Sequence, residues 1–172
     1  METRTEAINL DEALRANHLT LEKLAGKVLD SLHAGHRDQI RAAWGELENA
    51  LLGHLEVEER FVLPAFALGF PREAARFRRE HRELREALVE LGIQLDLHEL
   101  REDAAARFLR RLKDHAASED SAFYVWALAH VPEAAPRSFI ARLRGLLRGE
   151  PHTRRPPIFG AVRAFPASCA SQ

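Results

Sequence analysis

Apolar residues recur along most of the chain in steps of three and four, the spacing that places them on one face of an α-helix. Four long segments show this pattern, and short stretches with Gly, Pro or polar residues separate them. We expect helices over about residues 9–32, 38–68, 71–95 and 100–130. Helices joined by such short turns favour an all-α fold, an up-down-up-down antiparallel bundle of four helices.

Polar residues interrupt the apolar seam of every segment. In the first and third segments a single His replaces an apolar residue, and in the second and fourth a His is followed four positions later by a Glu. Because residues four apart share one helix face, each His–Glu pair projects from a single side of its helix. The six interrupting residues are His18, His54, Glu58, His81, His115 and Glu119.

In the expected topology these six residues lie at a similar depth in the bundle. With turns centred near residues 35, 70 and 97, the four His lie 16 to 19 residues from one end and the two Glu 22 to 23. At about 1.5 Å per residue, the His levels differ by roughly 4 to 5 Å, and the Glu lie one turn further along. The second His follows the first by 36 positions and the fourth follows the third by 34, which predicts a pseudo-two-fold site.

Such a cluster points to bound metal ions. A single His on an apolar face is more often a hydrogen-bonded core residue, but two buried carboxylates and four imidazoles need compensating positive charge, from protons or from metal ions. Imidazole and carboxylate ligands suit iron or manganese, and also zinc. The two Glu, facing each other, can each bridge two ions, which leaves the His of the first two segments and those of the last two as terminal pairs. Coordination positions then remain open for a small ligand.

Several other residues are candidates for supporting roles. Glu22 lies one turn after the first His, slightly off the seam, and could hydrogen-bond to a ligand. Glu59 and Asp120 sit beside the two bridging residues, and either could replace its neighbour if the helix rotates modestly. Tyr124 lies five residues beyond the second Glu, where an ordinary packing role is favoured over an approach to the site. The other five His are interpreted as surface residues: His33, His36, His98, His130 and His152.

Composition and charge narrow the function classes. The chain has 172 residues, with 25 Lys and Arg against 26 Asp and Glu, so no global field would attract nucleic acid or an anionic membrane. No apolar run approaches the roughly 20 residues that cross a bilayer, and the N-terminal residues lack the apolar core of a secretory signal, so we expect a cytoplasmic protein. The only Cys, Cys169, permits neither an internal disulfide nor a thiolate metal cluster within one chain.

We predict three parts along the chain. Residues 1–132 form the bundle, residues 133–148 include a short amphipathic helix, and residues 149–172 form a Pro- and Arg-rich, mobile tail. The amphipathic segment, residues 137–148, should pack on the bundle, on a second copy of the chain or on a protein partner. It lacks Trp and Lys anchors, which disfavours binding to a membrane surface.

With these residues placed, the chain resembles the hemerythrin-like, or HHE, cation-binding family. The resemblance covers about residues 8–130 and implies a four-helix bundle with a non-haem di-iron centre, oxo-, hydroxo- or water-bridged, for which manganese or zinc could substitute. Four motifs carry it: Ala16-Asn17-His18-Leu19, His54-Leu-Glu-Val-Glu58-Glu59 followed by Val62-Leu63-Pro64, Glu80-His81-Arg82-Glu83-Leu84, and His115-Ala-Ala-Ser-Glu119-Asp120.

The chain departs from the oxygen carriers of that family at two points. On the third helix the carriers place a second His one turn from the first, where this chain has Phe77 and Arg85. They also space the last pair as HxxxxD, which would select Asp120, whereas the apolar seam selects Glu119. These departures argue against a simple reversible oxygen carrier.

The resemblance and the six residues favour a di-iron protein that binds or senses oxygen, nitric oxide, peroxide or iron itself. Two alternatives stay open. One is a di-iron enzyme with peroxidase, catalase-like or oxidase activity, since a ferrous pair with open positions can reduce peroxide. The other is a protein-interaction module whose binding is switched by metal loading.

Overall fold

Residues 10–130 and residue 145 are described in the computed structural model of the chain. Between residues 10 and 130 the chain is helical apart from short turns, and this part contains no strand. The α-helices are α1 Leu10–Ala34, α2 Arg37–Val57, α3 Leu63–Gly69, α4 Pro71–Asp96, α5 Glu102–Ser118 and α6 Tyr124–His130. Two π-helical turns, Glu58–Val62 and Glu119–Phe123, join α2 to α3 and α5 to α6 without a break. The result is four helical rods, as the sequence predicts.

The turns between rods follow from local sequence. Gly35 ends α1 with φ +72°, a conformation that L side chains rarely adopt, and its amide donates to the carbonyls of Ser31 and Leu32 at 3.1 Å each. Pro71 is the first residue of α4, where its missing N–H costs nothing. Each rod therefore stops within a few residues of its predicted end.

Side-chain contacts show that neighbouring rods run antiparallel. As the residue number rises along α4, that of the partner on α5 falls, and the same holds between the first rod and the last. The α4 contacts are Arg76 with Ser118, Glu80 with His115, and Glu83 with Arg111. Those of the first rod are His18 with Asp120, Glu22 with Lys113, and His33 with Glu102. Together with the short turns, these contacts confirm the up-down-up-down bundle.

The core consists of two apolar clusters with the predicted site between them. One cluster, near the α1–α2 turn, includes Leu47, Leu51 and Leu84. The other, near the α3–α4 turn, is largely aromatic and includes Phe66 and Phe77. The bundle thus seals the polar residues of the site from both ends.

The π turns shift the apolar seam by one residue in the second and fourth rods. A π turn takes up about one residue more than an α turn, so every later position advances. Continued in steps of three and four beyond each Glu, the apolar seam predicts core positions at Phe61, Ala65, Leu68, Ala122 and Ala129. In the structure Phe61 is half-buried and the other four are exposed, Leu68 by 89%. The core positions are instead taken by Val62, Phe66, Phe123 and Ala127. The sequence-based register was wrong beyond each Glu.

The register shift can be tested by truncating one residue on each side of it. Phe66→Ala removes a buried ring that contacts other aromatic side chains, and should lower the free energy of unfolding by about 3–5 kcal/mol. Leu68→Ala, two positions away, should change it by less than about 0.5 kcal/mol. Urea unfolding of both variants measures the difference. If Leu68→Ala destabilised the protein more than Phe66→Ala, the helix would continue in an α-helical register without the π turn.

Several predictions fall on residues outside the described part of the chain. These are the amphipathic segment within residues 133–148, the tail of residues 149–172, and the surface position of His152; the helix end at His130 is described, but the exposure of its side chain is not. The three-part division of the chain stays a prediction. None of the described helices is long and apolar enough to cross a membrane.

Candidate metal centre

All six residues predicted from the interrupted seams come together in the core. Each rod contributes: α1 and α4 give one His each, and the other two rods each give a His from the end of an α-helix and a Glu from the first position of a π turn. None is more than 8% exposed. The six are His18, His54, Glu58, His81, His115 and Glu119.

The six side chains form two groups that share both carboxylates. In each group, one ligand atom from every residue lies within 4.8 Å of the others, which is close enough to surround one ion. The first group is His18, His54, Glu58 and Glu119; the second is Glu58, His81, His115 and Glu119.

Each carboxylate presents one oxygen to each group. Glu119 Oε2 lies 3.3 Å from His18 Nε2, and its Oε1 lies 3.1 Å from both His81 Nε2 and His115 Nε2. Glu58 Oε1 lies 3.5 Å from His54 Nε2, and its Oε2 lies 3.4 Å from His81 Nε2. Two atoms about 2.1 Å from one ion are about 3.0 Å apart at a right angle and about 3.4 Å apart at the tetrahedral angle. The spacing is therefore compatible with ligands around a metal ion in each group.

Four buried atoms of the site have no hydrogen-bond partner: His54 Nε2, Glu58 Oε2, His115 Nε2 and Glu119 Oε2. A buried polar atom without a partner costs about 1–3 kcal/mol, more if it is charged. Because all four are lone-pair donors that point into the centre, a cation satisfies them together. The residues present fit a pair of metal ions.

Carboxylates outside the centre hold three of the imidazoles by their Nδ1 atoms. This leaves Nε2 facing inwards, the arrangement by which proteins orient a metal-binding His. The pairs are His18 with Asp120 at 3.2 Å, His81 with Glu59 at 3.1 Å, and His115 with Glu80 at 2.9 Å. The carboxylates after the two shared Glu thus support the site from outside and do not replace their neighbours in it.

The chain matches a known protein family. A family model, the hemerythrin HHE cation-binding domain, matches residues 9–127. The chain belongs to this family. Neither a comparison with curated proteins nor one with solved structures gave a match. Membership and the buried His and Glu groups make this a metal-binding, hemerythrin-like protein.

Phe77 and Arg85, which stand where the oxygen carriers place a second His, contact residues of the site without joining the two groups. Phe77 is fully buried, and its ring meets the ring of His115 edge-on at 6.2 Å between centroids. Arg85 forms two hydrogen bonds with Glu59, at 2.7 and 2.9 Å, and so fixes the carboxylate that holds His81. The third rod, α4, therefore contributes His81 alone to the two groups.

Three supporting roles differ from the sequence interpretation. Glu22 is exposed and pairs with Lys113 at 2.9 Å, so it does not reach the site. The sequence predicts no supporting role for Glu80, because this residue stands in a run of alternating charges, Arg78-Arg79-Glu80-His81-Arg82-Glu83, that is typical of an exposed helix face. Tyr124, for which packing was favoured, is fully buried, donates a hydrogen bond to Glu58, and places its hydroxyl 3.0 Å from a His nitrogen.

Burial and neighbouring charges shift the pKa values of three residues of the centre. Burial raises the pKa of Glu58, and the negative charge of Glu119 raises it further. Burial acts in the same direction on Glu119, but contacts with the four imidazoles outweigh it and hold its pKa well below the usual range. Burial lowers the pKa of His54 to about 4. The pKa values of the two shared carboxyls are therefore shifted in opposite directions, that of Glu58 upwards and that of Glu119 downwards.

Asp120→Asn should weaken metal binding at the first group by about 10–100-fold, because the amide holds His18 less firmly in its metal-binding orientation. The second group does not contact Asp120 and should be unaffected. Glu22→Gln is the matched control, since this carboxylate also belongs to the α1–α5 contact but lies outside the site. Calorimetric titration of the metal-free proteins with Fe²⁺ or Zn²⁺ measures both affinities. Equal effects of the two substitutions would refute this role for Asp120.

Proposed function

We propose that this HHE-domain protein binds two iron ions and uses their open coordination positions to bind or sense a small oxidant or gas. Oxygen, nitric oxide and peroxide are the candidate ligands. The observation that carries the proposal is the sharing of Glu58 and Glu119 between two groups, since two carboxylates common to both groups suit a pair of ions better than two separate sites. The proposed metal ligands are His18, His54, Glu58, His81, His115 and Glu119.

Iron is favoured by the kinds of ligand and by their number. The six residues offer imidazole and carboxylate, which suit iron and manganese and are also accepted by zinc. Each group supplies four ligand atoms, two fewer than an octahedral ion takes, so each position keeps room for a small ligand. When bound, a ferrous pair supplies electrons to a small oxidant.

Burial limits what can reach the centre. All six residues are at least nine-tenths buried and lie between two apolar clusters, so a diatomic gas or peroxide is a more suitable ligand than an organic substrate. This supports binding or sensing over turnover of a larger molecule. The metal-switched interaction module would act through residues 137–148, and that role, like the cytoplasmic location, stays a prediction.

Iron loading followed by optical spectroscopy tests the proposal. The anaerobic ferrous protein should contain two iron ions per chain and should change its visible absorption on exposure to oxygen, peroxide or nitric oxide. A Glu58→Gln, Glu119→Gln double variant serves as the reference. Iron well below two per chain, or a spectrum that none of the three ligands alters, would overturn the proposal. Steady-state peroxide consumption well above that of the double variant would instead select the enzyme.

A further inference from the structure

We propose that Tyr124 is a seventh ligand of the centre and that it binds only the ion held by His18 and His54. The two metal positions would then be chemically unequal. This inference rests on the proposed pair of metal ions, and its test distinguishes the failure of one from the failure of the other.

The position of the phenol oxygen carries the inference. Tyr124 Oη lies 3.0 Å from His18 Nε2 and donates a hydrogen bond to Glu58 Oε1, the carboxylate oxygen on the side of His54. Both contacts are with atoms of the first group. A separation of 3.0 Å is what two ligands at right angles around one ion show when each bond is about 2.1 Å. The phenol oxygen therefore lies close enough to both atoms to share one ion with them, if an ion is bound at this position.

The second π turn aims the phenol at the centre. In a continuous α-helix, a residue five positions after Glu119 would point about 140° away from it, since each residue turns the chain by about 100°. The wider π turn, Glu119–Phe123, reduces that difference and brings Tyr124 to the same side as Glu119. The ring is fully buried and stacks on the His18 ring, with 5.0 Å between centroids and 17° between planes.

Among the described residues, the pseudo-two-fold arrangement places such an additional group at one of the two positions. His18 corresponds to His81, and the two π turns begin at corresponding Glu residues. The residue five positions after Glu58 is Leu63, which is fully buried and carries no donor atom. The position held by His81 and His115 therefore keeps one more open coordination site than the position beside Tyr124.

Ligation replaces the phenolic proton by the metal ion. In the metal-free protein that proton lies in the hydrogen bond to Glu58. As the oxygen–metal bond forms, the oxygen–hydrogen bond breaks and the proton leaves to the buffer. No electron is transferred in this step. Iron accepts tyrosine oxygen as a ligand in other proteins.

Resonance Raman spectroscopy of the diferric protein tests the inference directly. The chain contains a single Tyr, so any iron-bound phenolate vibration must arise from Tyr124. We expect these vibrations together with a phenolate-to-iron absorption band in the visible, and their complete loss in Tyr124→Phe at an unchanged content of two irons per chain. Mössbauer spectra should show two unequal iron sites in the wild type and a smaller difference between them in the variant.

Each outcome decides the matter. Two bound irons without phenolate vibrations in the wild-type protein overturn the inference and leave the proposed function intact. Failure to bind two metal ions overturns both. If Tyr124→Phe does not fold, the wild-type spectrum alone remains decisive, because no other residue of the chain can produce the signal.

Discussion

Glu119→Gln should empty both metal positions at once. Glu119 presents one oxygen to each group of ligands and approaches His18, His81 and His115 within 3.3 Å. Replacing one oxygen by an amide nitrogen removes a ligand from one position and the negative charge from both. We expect metal affinity to fall by more than about 100-fold at the two positions, a larger loss than for a partner outside the centre.

Metal content after dialysis, measured by elemental analysis, checks this expectation. Asp114→Asn is the matched control, because it makes the same change of charge on an exposed residue next to His115. The control should keep the wild-type metal content. If Glu119→Gln retained one tightly bound ion, the carboxylate would serve a single position, and the shared arrangement would be wrong.

Removing the metal should lower the melting temperature by roughly 8–16 °C for each position that is saturated. A ligand present at about 1,000 times its dissociation constant stabilises the fold by about 4.1 kcal/mol, and 1 kcal/mol moves the melting point of a chain of this size by about 2–4 °C. Metal should stabilise the fold because four buried atoms of the centre have no hydrogen-bond partner in the protein. Circular dichroism melts with and without a chelator measure the shift.

The Glu119→Gln variant provides the reference for this experiment. Because it should not hold metal, its melting temperature should be the same with and without the chelator. If the melting temperature of the wild-type protein were also the same with and without the chelator, bound metal would not stabilise the fold.

The four rods and the six residues of the centre could be predicted because one physical rule covers both. A buried helix face is apolar, so a polar residue on that face is costly unless it has partners. His18 and Glu58 stand out for this reason, and the antiparallel topology brings the interruptions to one depth. The exclusion of Asp120 from the centre in favour of Glu119 also followed from the face of the helix.

The register beyond each Glu could not be predicted, because a π turn has no local sequence signal here. After Glu58, both Phe61 and Val62 are apolar, and so are Ala65 and Phe66, so either register gives an acceptable seam. Tertiary packing decides between them. The contact of the Tyr124 phenol with the centre depends on the additional residue that the second π turn takes up. An α-helical register directs Tyr124 away from the centre, and the sequence therefore favoured a packing role for it.

Anomalous diffraction from crystals of the iron-loaded protein shows directly whether the two carboxylates are shared between two ions. We expect two peaks about 3.5–4 Å apart in the core, with Glu58 and Glu119 each giving one oxygen to each ion. The first ion should lie against His18 and His54, and the second against the other two His. A single peak, or two peaks that share neither carboxylate, would rule out a carboxylate-bridged pair of ions.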